Sequence, residues 1–190
     1  MRFCPGLFLL LVFSVAAQQP NVYTHADSLK GTYGPARSWL DVLHYDLHVK
    51  FNIADSTISG YNLITYKTIA PGTEMQLDLM HPLVLDSVVQ SGKVLPVHND
   101  GNAHFISIVP GNPTGTIAAY YHGRPVQAKS PPWDGGVVWS RDTKGKPWIS
   151  VACQGMAAQA WFPNKDHMKD EPDSATMHFT VPSELFVVSN

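Results

Sequence analysis

Between Leu43 and Ile53 every odd position is apolar and every even one polar, the period-two pattern of a strand with one face buried and one wet. A turn over 54–57 returns a second strand at 58–68. Strand signals then recur at short intervals. Residues 75–79 alternate, and 83–89 run into a turn at 90–93. Asn99-Asp100-Gly101-Asn102 has hairpin chemistry between 94–97 and 104–109. Another strand is expected at 116–122, and 137–140 and 148–152 flank a loop rich in Lys, Gly and Pro. Ala175, Met177, Phe179 and Val181 alternate again, and 185–188 is apolar. No stretch has the pattern of a long amphipathic helix. Fifteen prolines and fourteen glycines punctuate these short strands, which predicts an all-β sandwich or layered sheet.

The amino end reads differently. Arg2 precedes a compact apolar run at 7–15 that ends in Ala16-Ala17, the layout of an export signal with cleavage after Ala17. The run is too short for a permanent membrane span, so a periplasmic or extracellular location without a stable membrane anchor is expected. Cys4 lies before the apolar run and cannot be the acylated cysteine of a lipoprotein signal. Residues 18–38 mix Pro, Gly and polar residues without periodicity and are expected to form an extended lead-in to a single β domain at 39–190. Without residues 1–17 the chain keeps 12 Lys and Arg against 15 Asp and Glu, a formal net charge of −3. That balance, with no basic run, gives no support to a nucleic-acid partner. Only Cys153 then remains, so no intrachain disulfide can form and packing must hold the core.

Nine histidines raise the question of a metal, yet no H-E-x-x-H occurs in the sequence. His44 and His48 share a strand face but lie too far apart along it to chelate together, and they read as ordinary wet-face residues. His98 and His104 flank the Asn-Asp-Gly turn as expected cross-strand neighbours, without a visible third ligand. The acidic run 166–173 lacks the spacing of a calcium loop and reads as a solvated loop. Asp166 is the exception, because the aromatic corner Trp161-Phe162-Pro163 beside it can bury a carboxylate that then needs backbone N–H partners. Cys153 continues an alternating apolar run through Ile149 and Val151 and reads as a buried structural thiol. No G-x-S-x-G elbow is present. Gln154, at a strand end before Gly155, can offer a ligand both a donor and an acceptor without adding charge.

These residues belong to an ordered series. It runs through Asp41-Val42-Leu43-His44-Tyr45-Asp46-Leu47, Ser59-Gly60, Leu77-Asp78-Leu79 and Tyr121-His122-Gly123. It continues in Pro132-Trp133-Asp134-Gly135-Gly136, Cys153-Gln154-Gly155, Trp161-Phe162-Pro163-Asn164-Lys165-Asp166-His167 and Asp170-Glu171-Pro172-Asp173, and closes on Val181-Pro182 and Val187-Val188-Ser189-Asn190. Over 39–190 the series resembles the N-terminal domain of the zinc aminopeptidases that include aminopeptidase N and leukotriene hydrolase. The resemblance implies a saddle-like, mostly antiparallel β domain that packs against a separate catalytic domain and forms one wall of its peptide cleft. It implies that Gln154 helps bind the free amino end of a peptide substrate, with Gly155, Met156 and Ala157 lining the pocket. It also implies zinc in the parent enzyme, held by a catalytic domain of the same polypeptide. The zinc motif, the family's Gly-x-Met-Glu-Asn loop and its transition-state Tyr do not occur in these 190 residues. No metal ligand or catalytic residue is therefore expected here, and the chain alone is expected to be catalytically silent.

A reading of another class is a free-standing secreted β-sandwich that binds a glycan or protein partner. Five tryptophans, among them Trp133, Trp139, Trp148 and Trp161, would supply its stacking platform. Their places at Gly-Pro corners and in apolar strands predict that most of them are core.

Overall fold

A computed structural model describes residues 22–189; the expected leader at 1–17, the first residues of the lead-in and Asn190 lie outside the described residues. The alternating segment forms β1 (Leu40–Asn52), and the turn after it returns β2 (Thr57–Thr68). The strands that follow are β3 (Glu74–Asp78), β4 (Val84–Gln90), β5 (Lys93–Val94), β6 (Val97–Asp100), β7 (Ala103–Ser107) and β8 (Thr114–Gly123). Then come β9 (Gly136–Arg141), β10 (Pro147–Ala152) and β11 (Ser174–Thr180). A six-stranded sheet has the order β11-β1-β2-β8-β4-β5, a three-stranded sheet the order β3-β7-β6, and β9 and β10 pair as a hairpin. Among the described residues every strand pairing is antiparallel except β1 with β11, which bears out the all-β, mostly antiparallel expectation.

A β-bulge sets the phase of β1. The register to β2 slips at Leu43, between Val42 and His44. Leu40 and Val42 are buried on the amino side of the slip, and Tyr45, Leu47, Val49 and Phe51 on the other, so one inserted residue moves burial from even to odd positions. Ile58, Ile64 and Tyr66 of β2 and Ile117, Ala119 and Tyr121 of β8 face the same core. Met75, Leu77 and Ile106 enter it from the smaller sheet. β3 departs from the half-buried expectation: Gln76 and Asp78 are as buried as Met75 and Leu77.

The extended lead-in is corrected. Residues His25–Gly31 form α1 and Pro35–Ser38 form α2. The Thr24 hydroxyl accepts from the Asp27 N–H while the Asp27 carboxylate accepts from the Thr24 N–H, a capping box that supplies partners to otherwise orphaned first-turn donors. Arg37 then fastens both helices. Its guanidinium is fully buried and donates to the carbonyls of Leu29 (2.8 Å), Lys30 (3.2 Å) and Thr32 (2.9 Å). Among the described residues no helix is long and apolar enough to cross a membrane.

Candidate functional site: the turn after the β9–β10 hairpin

The hairpin delivers the chain to a tight turn at 153–157. Trp139 of β9 packs on Phe51, with ring centroids 6.1 Å apart, and fixes the hairpin against the larger sheet. Gly136 sits at φ +134°, where an added Cβ would meet the Val126 carbonyl oxygen at 2.4 Å. Gly135 lies under Met156, whose side chain an added Cβ would meet at 2.7 Å. At the turn itself the Cys153 carbonyl accepts from the N–H groups of Met156 (3.2 Å) and Ala157 (2.9 Å). Gly155 takes φ +69°, which its missing Cβ permits, and its carbonyl accepts from Lys30 Nζ of α1 at 3.1 Å. Ala157 is held at φ 63° and ψ −173°, a region that costs a residue with a side chain about 1–3 kcal/mol.

Cys153, Gln154 and Gly155 are exposed, and Met156 and Ala157 are half-buried. The turn thus carries the four residues expected to line a ligand pocket on one short stretch of surface, with Gln154 exposed. Chemically, that amide can accept from an ammonium through Oε1 and donate through Nε2.

The chain buries itself immediately afterwards. Ala158–Ala160 form one turn of 3₁₀ helix that leads into the buried Trp161-Phe162-Pro163 corner. Gln159 is buried; its carbonyl accepts from the Met80 N–H at 2.8 Å and its side chain donates to Asp166 at 2.5 Å. Asn164 and Asp78 exchange backbone hydrogen bonds of 2.8 and 3.2 Å, and Asn62 donates to the Pro163 carbonyl at 3.0 Å. Two buried ion pairs lock the segment. Arg37 donates to Asp78 at 2.5 Å, and Lys165 pairs with Asp170 while donating to the Leu40 carbonyl at 2.6 Å. Burial draws the Lys165 ammonium below its ordinary value, and the Asp41 carboxylate resists that shift. Burial likewise raises the Asp78 carboxyl, against the opposing charge and hydrogen bond of Arg37. Breaking either pair would leave an unpaired charge in the interior.

Several expectations change here. Cys153 is exposed rather than a buried structural thiol, and so is Val151 before it, so the alternation of this edge hairpin marks no buried face at its end. Its thiol is raised above its ordinary value, by desolvation first, so nothing marks it as an activated nucleophile. Asp166 is half-buried as its neighbours suggest, but the Gln159 side chain supplies its partner rather than backbone N–H groups. The run 166–173 is not wholly solvated, since Asp170 is buried and also accepts from the Val42 N–H at 3.2 Å. His98 pairs with Phe105, whereas His104 is buried opposite Asn99 and contacts its side-chain oxygen at 2.7 Å, so the two histidines are not direct neighbours. Of the tryptophans, Trp39 and Trp161 are core and Trp139 is half-buried, but Trp133 and Trp148 are 83% and 61% exposed. The anchoring residue that sequence reasoning missed is Arg37. Its only local signal is a basic residue in the last turn of a four-residue helix, and its acidic partner is 41 positions away.

No protein-family profile matches the sequence, and no curated protein does. Solved structures do match. Yeast leukotriene A4 hydrolase superposes with a TM-score of 0.61 at 20% identity, over 76% of this chain and 24% of that one. An M1 zinc metallopeptidase from Deinococcus radiodurans gives 0.62 at 21% identity, over 82% and 36%. A mutant of that enzyme bound to a Tyr-Ser-Ala substrate gives 0.60 at 22% identity, over 85% and 38%. The chain thus spans 24% to 38% of the length of these structures. With its mostly antiparallel sheets, the chain has the fold of the N-terminal domain of M1 zinc aminopeptidases and leukotriene A4 hydrolase.

Proposed function

We propose that this chain is the β domain forming one wall of the peptide cleft in an exported zinc aminopeptidase, and that its 153–157 turn recognises the substrate's free amino end. The observation that carries the reading is the turn itself, an exposed amide on a backbone held by Gly155, Ala157 and the Lys30 contact, within the M1-type fold. A neutral amide suits an ammonium: Gln154 Oε1 accepts one of its hydrogens without adding a charge to the site. Gly155, Met156 and Ala157 would line the same pocket with backbone. The Tyr-Ser-Ala and L-arginine found with similar enzymes are ligands of those proteins, and they make a peptide with a free amino end the substrate class to try here.

In such an enzyme zinc activates the attacking water and polarises the scissile carbonyl. The family's zinc motif does not occur in these 190 residues, and no residue of this chain is assigned to that ion or to a catalytic step. Peptide turnover then requires a catalytic domain on the same polypeptide, which is the partner this reading names. Export rests on the leader pattern at residues 1–17. The chain incubated alone with zinc and a peptide amide is expected to show no hydrolysis above background. Chelator-sensitive turnover by the chain would sink the proposal.

Exposed Trp133 and Trp148 favour a second reading, a free-standing module that stacks glycans or docks a protein. Saturable binding to a glycan array that is lost in Trp148→Ala would move the balance to it.

A further inference from the structure

On the wet face of the six-stranded sheet, the edge strand brings a second set of ligating groups together. β11 runs parallel to β1 in a register that sets His178 directly beside His48 and Thr176 beside Asp46. Asp46 and His48 are two apart on one strand, so their side chains share a face. The rings of His48 and His178 stack with centroids 4.1 Å apart and planes 13° from parallel. Tyr61 stacks on the other face of His48, at 4.4 Å, and limits how that ring can turn. Both Nε2 atoms lie 3.2 Å from the same oxygen, Asp46 Oδ1. That oxygen is shielded from solvent and has no hydrogen-bond partner.

We infer that Asp46, His48 and His178 form a binding site for a first-row divalent transition ion of the zinc class. Two imidazoles and one carboxylate are the donor set such ions take, with metal–ligand distances of about 2.0–2.2 Å. Two such donors at a tetrahedral centre stand about 3.3 Å apart, and the two Nε2–Oδ1 separations match that spacing. All three donor atoms lie within 4.8 Å of one another. In the stack the two imidazole lone pairs lie in nearly parallel planes and do not converge, so the site forms when His178, exposed on the outermost strand, turns out of the stack. An ion there answers the buried Asp46 oxygen, which has no hydrogen-bond partner among the described residues. Water would complete the coordination on the open side. The consequence is a further clip between β1 and β11, beside their parallel ladder and the contacts of His44 with Ser174 and Thr176. The inference is independent of the peptide reading, since it uses none of the residues at 153–157.

The test is titration of the metal-free chain with zinc by calorimetry and with cobalt by its visible d–d spectrum. One equivalent with nitrogen- and oxygen-ligated cobalt absorption is expected. His178→Ala should weaken zinc by more than about 100-fold, since loss of a mere supporting partner costs 10- to 100-fold. Asp46→Asn should also weaken it, while His122→Ala, which removes the other exposed His–Asp contact of the same sheet, should leave it unchanged. Histidine footprinting with diethyl pyrocarbonate needs no variant, and zinc should protect His48 and His178 together. Failure of protection, no saturable binding, or binding retained in His178→Ala would overturn the inference.

Discussion

Two glutamines five residues apart divide the motif-rich stretch at 153–170. Gln154 is exposed on a turn held by its own backbone, and Gln159 is buried with its carbonyl bonded to Met80 and its amide to Asp166. The same chemical group does opposite work in the two places. Residues 158–170 are fixed from outside: Asn164 exchanges backbone hydrogen bonds with Asp78 of β3, the Pro163 carbonyl accepts from Asn62 of β2 and Asp170 accepts from the Val42 N–H of β1, while the Lys165–Asp170 pair closes the segment on itself. Residues 153–157 rest on two backbone hydrogen bonds, two positive-φ residues and one surface lysine. The lesson is a division of labour: the buried half sets where the exposed half begins, and the exposed half stays free to meet a ligand.

Breaking the buried half should have the largest effect. Arg37→Ala leaves Asp78 unpaired in the interior and should destabilise the chain by about 3–5 kcal/mol in urea unfolding. Lys165→Ala should do the same to Asp170. A loss below 1 kcal/mol in both would mean that these pairs do not hold the segment. Gly136→Ala comes next, because a Cβ at φ +134° collides with a backbone oxygen; a cost of about 1–3 kcal/mol is expected, read as a lower Tm.

A pH dependence should follow from His104, whose burial lowers its imidazole below the ordinary value. The unfolded chain therefore takes up a proton at a pH where the folded one does not. Stability should fall as pH drops below about 6.5 and level off beneath the folded value. His104→Gln should flatten that slope in thermal melts at stepped pH, and an unchanged slope would contradict the assignment. The smallest effects belong to the exposed half. Cys153→Ser and Gln154→Ala should each change unfolding free energy by less than about 0.5 kcal/mol.

The two halves also differ in how far the sequence reveals them. Period-two alternation announced β1 and β2, each with one dry face, and also β11, although that edge strand is exposed except for half-buried Phe179; Gly and Pro chemistry announced the turns between strands. The bulge at Leu43 escaped it, since a slip of one residue leaves apolar side chains on both sides of the shift. α1 was missed although Thr24 and Asp27 carry a capping signal, because its seven residues bury none of their side chains and show no apolar stripe. The Arg37–Asp78 pair was illegible for a different reason. Buried polar residues look like wet-face residues in a pattern, and only the fold brings a position 41 residues distant into contact. Asp46, His48 and His178 follow the same rule, since register alone sets His178 beside His48. At the candidate site the sequence singled out Gln154 from its place at a strand end, but misread Cys153 because the apolar alternation of β10 does not mark a buried face: Val151 is already exposed.

The most direct measurement is the steady-state kinetics of Gln154→Ala in the zinc aminopeptidase proposed above, with this domain and a catalytic domain on one polypeptide. If the exposed amide binds the substrate's ammonium, KM for peptides with a free amino end should rise with kcat nearly unchanged. Loss of a hydrogen bond to a charged group corresponds to about 1.5–3 kcal/mol, or roughly 10- to 150-fold. An unchanged KM, with the variant as stable as the parent, would contradict the role assigned to the 153–157 turn.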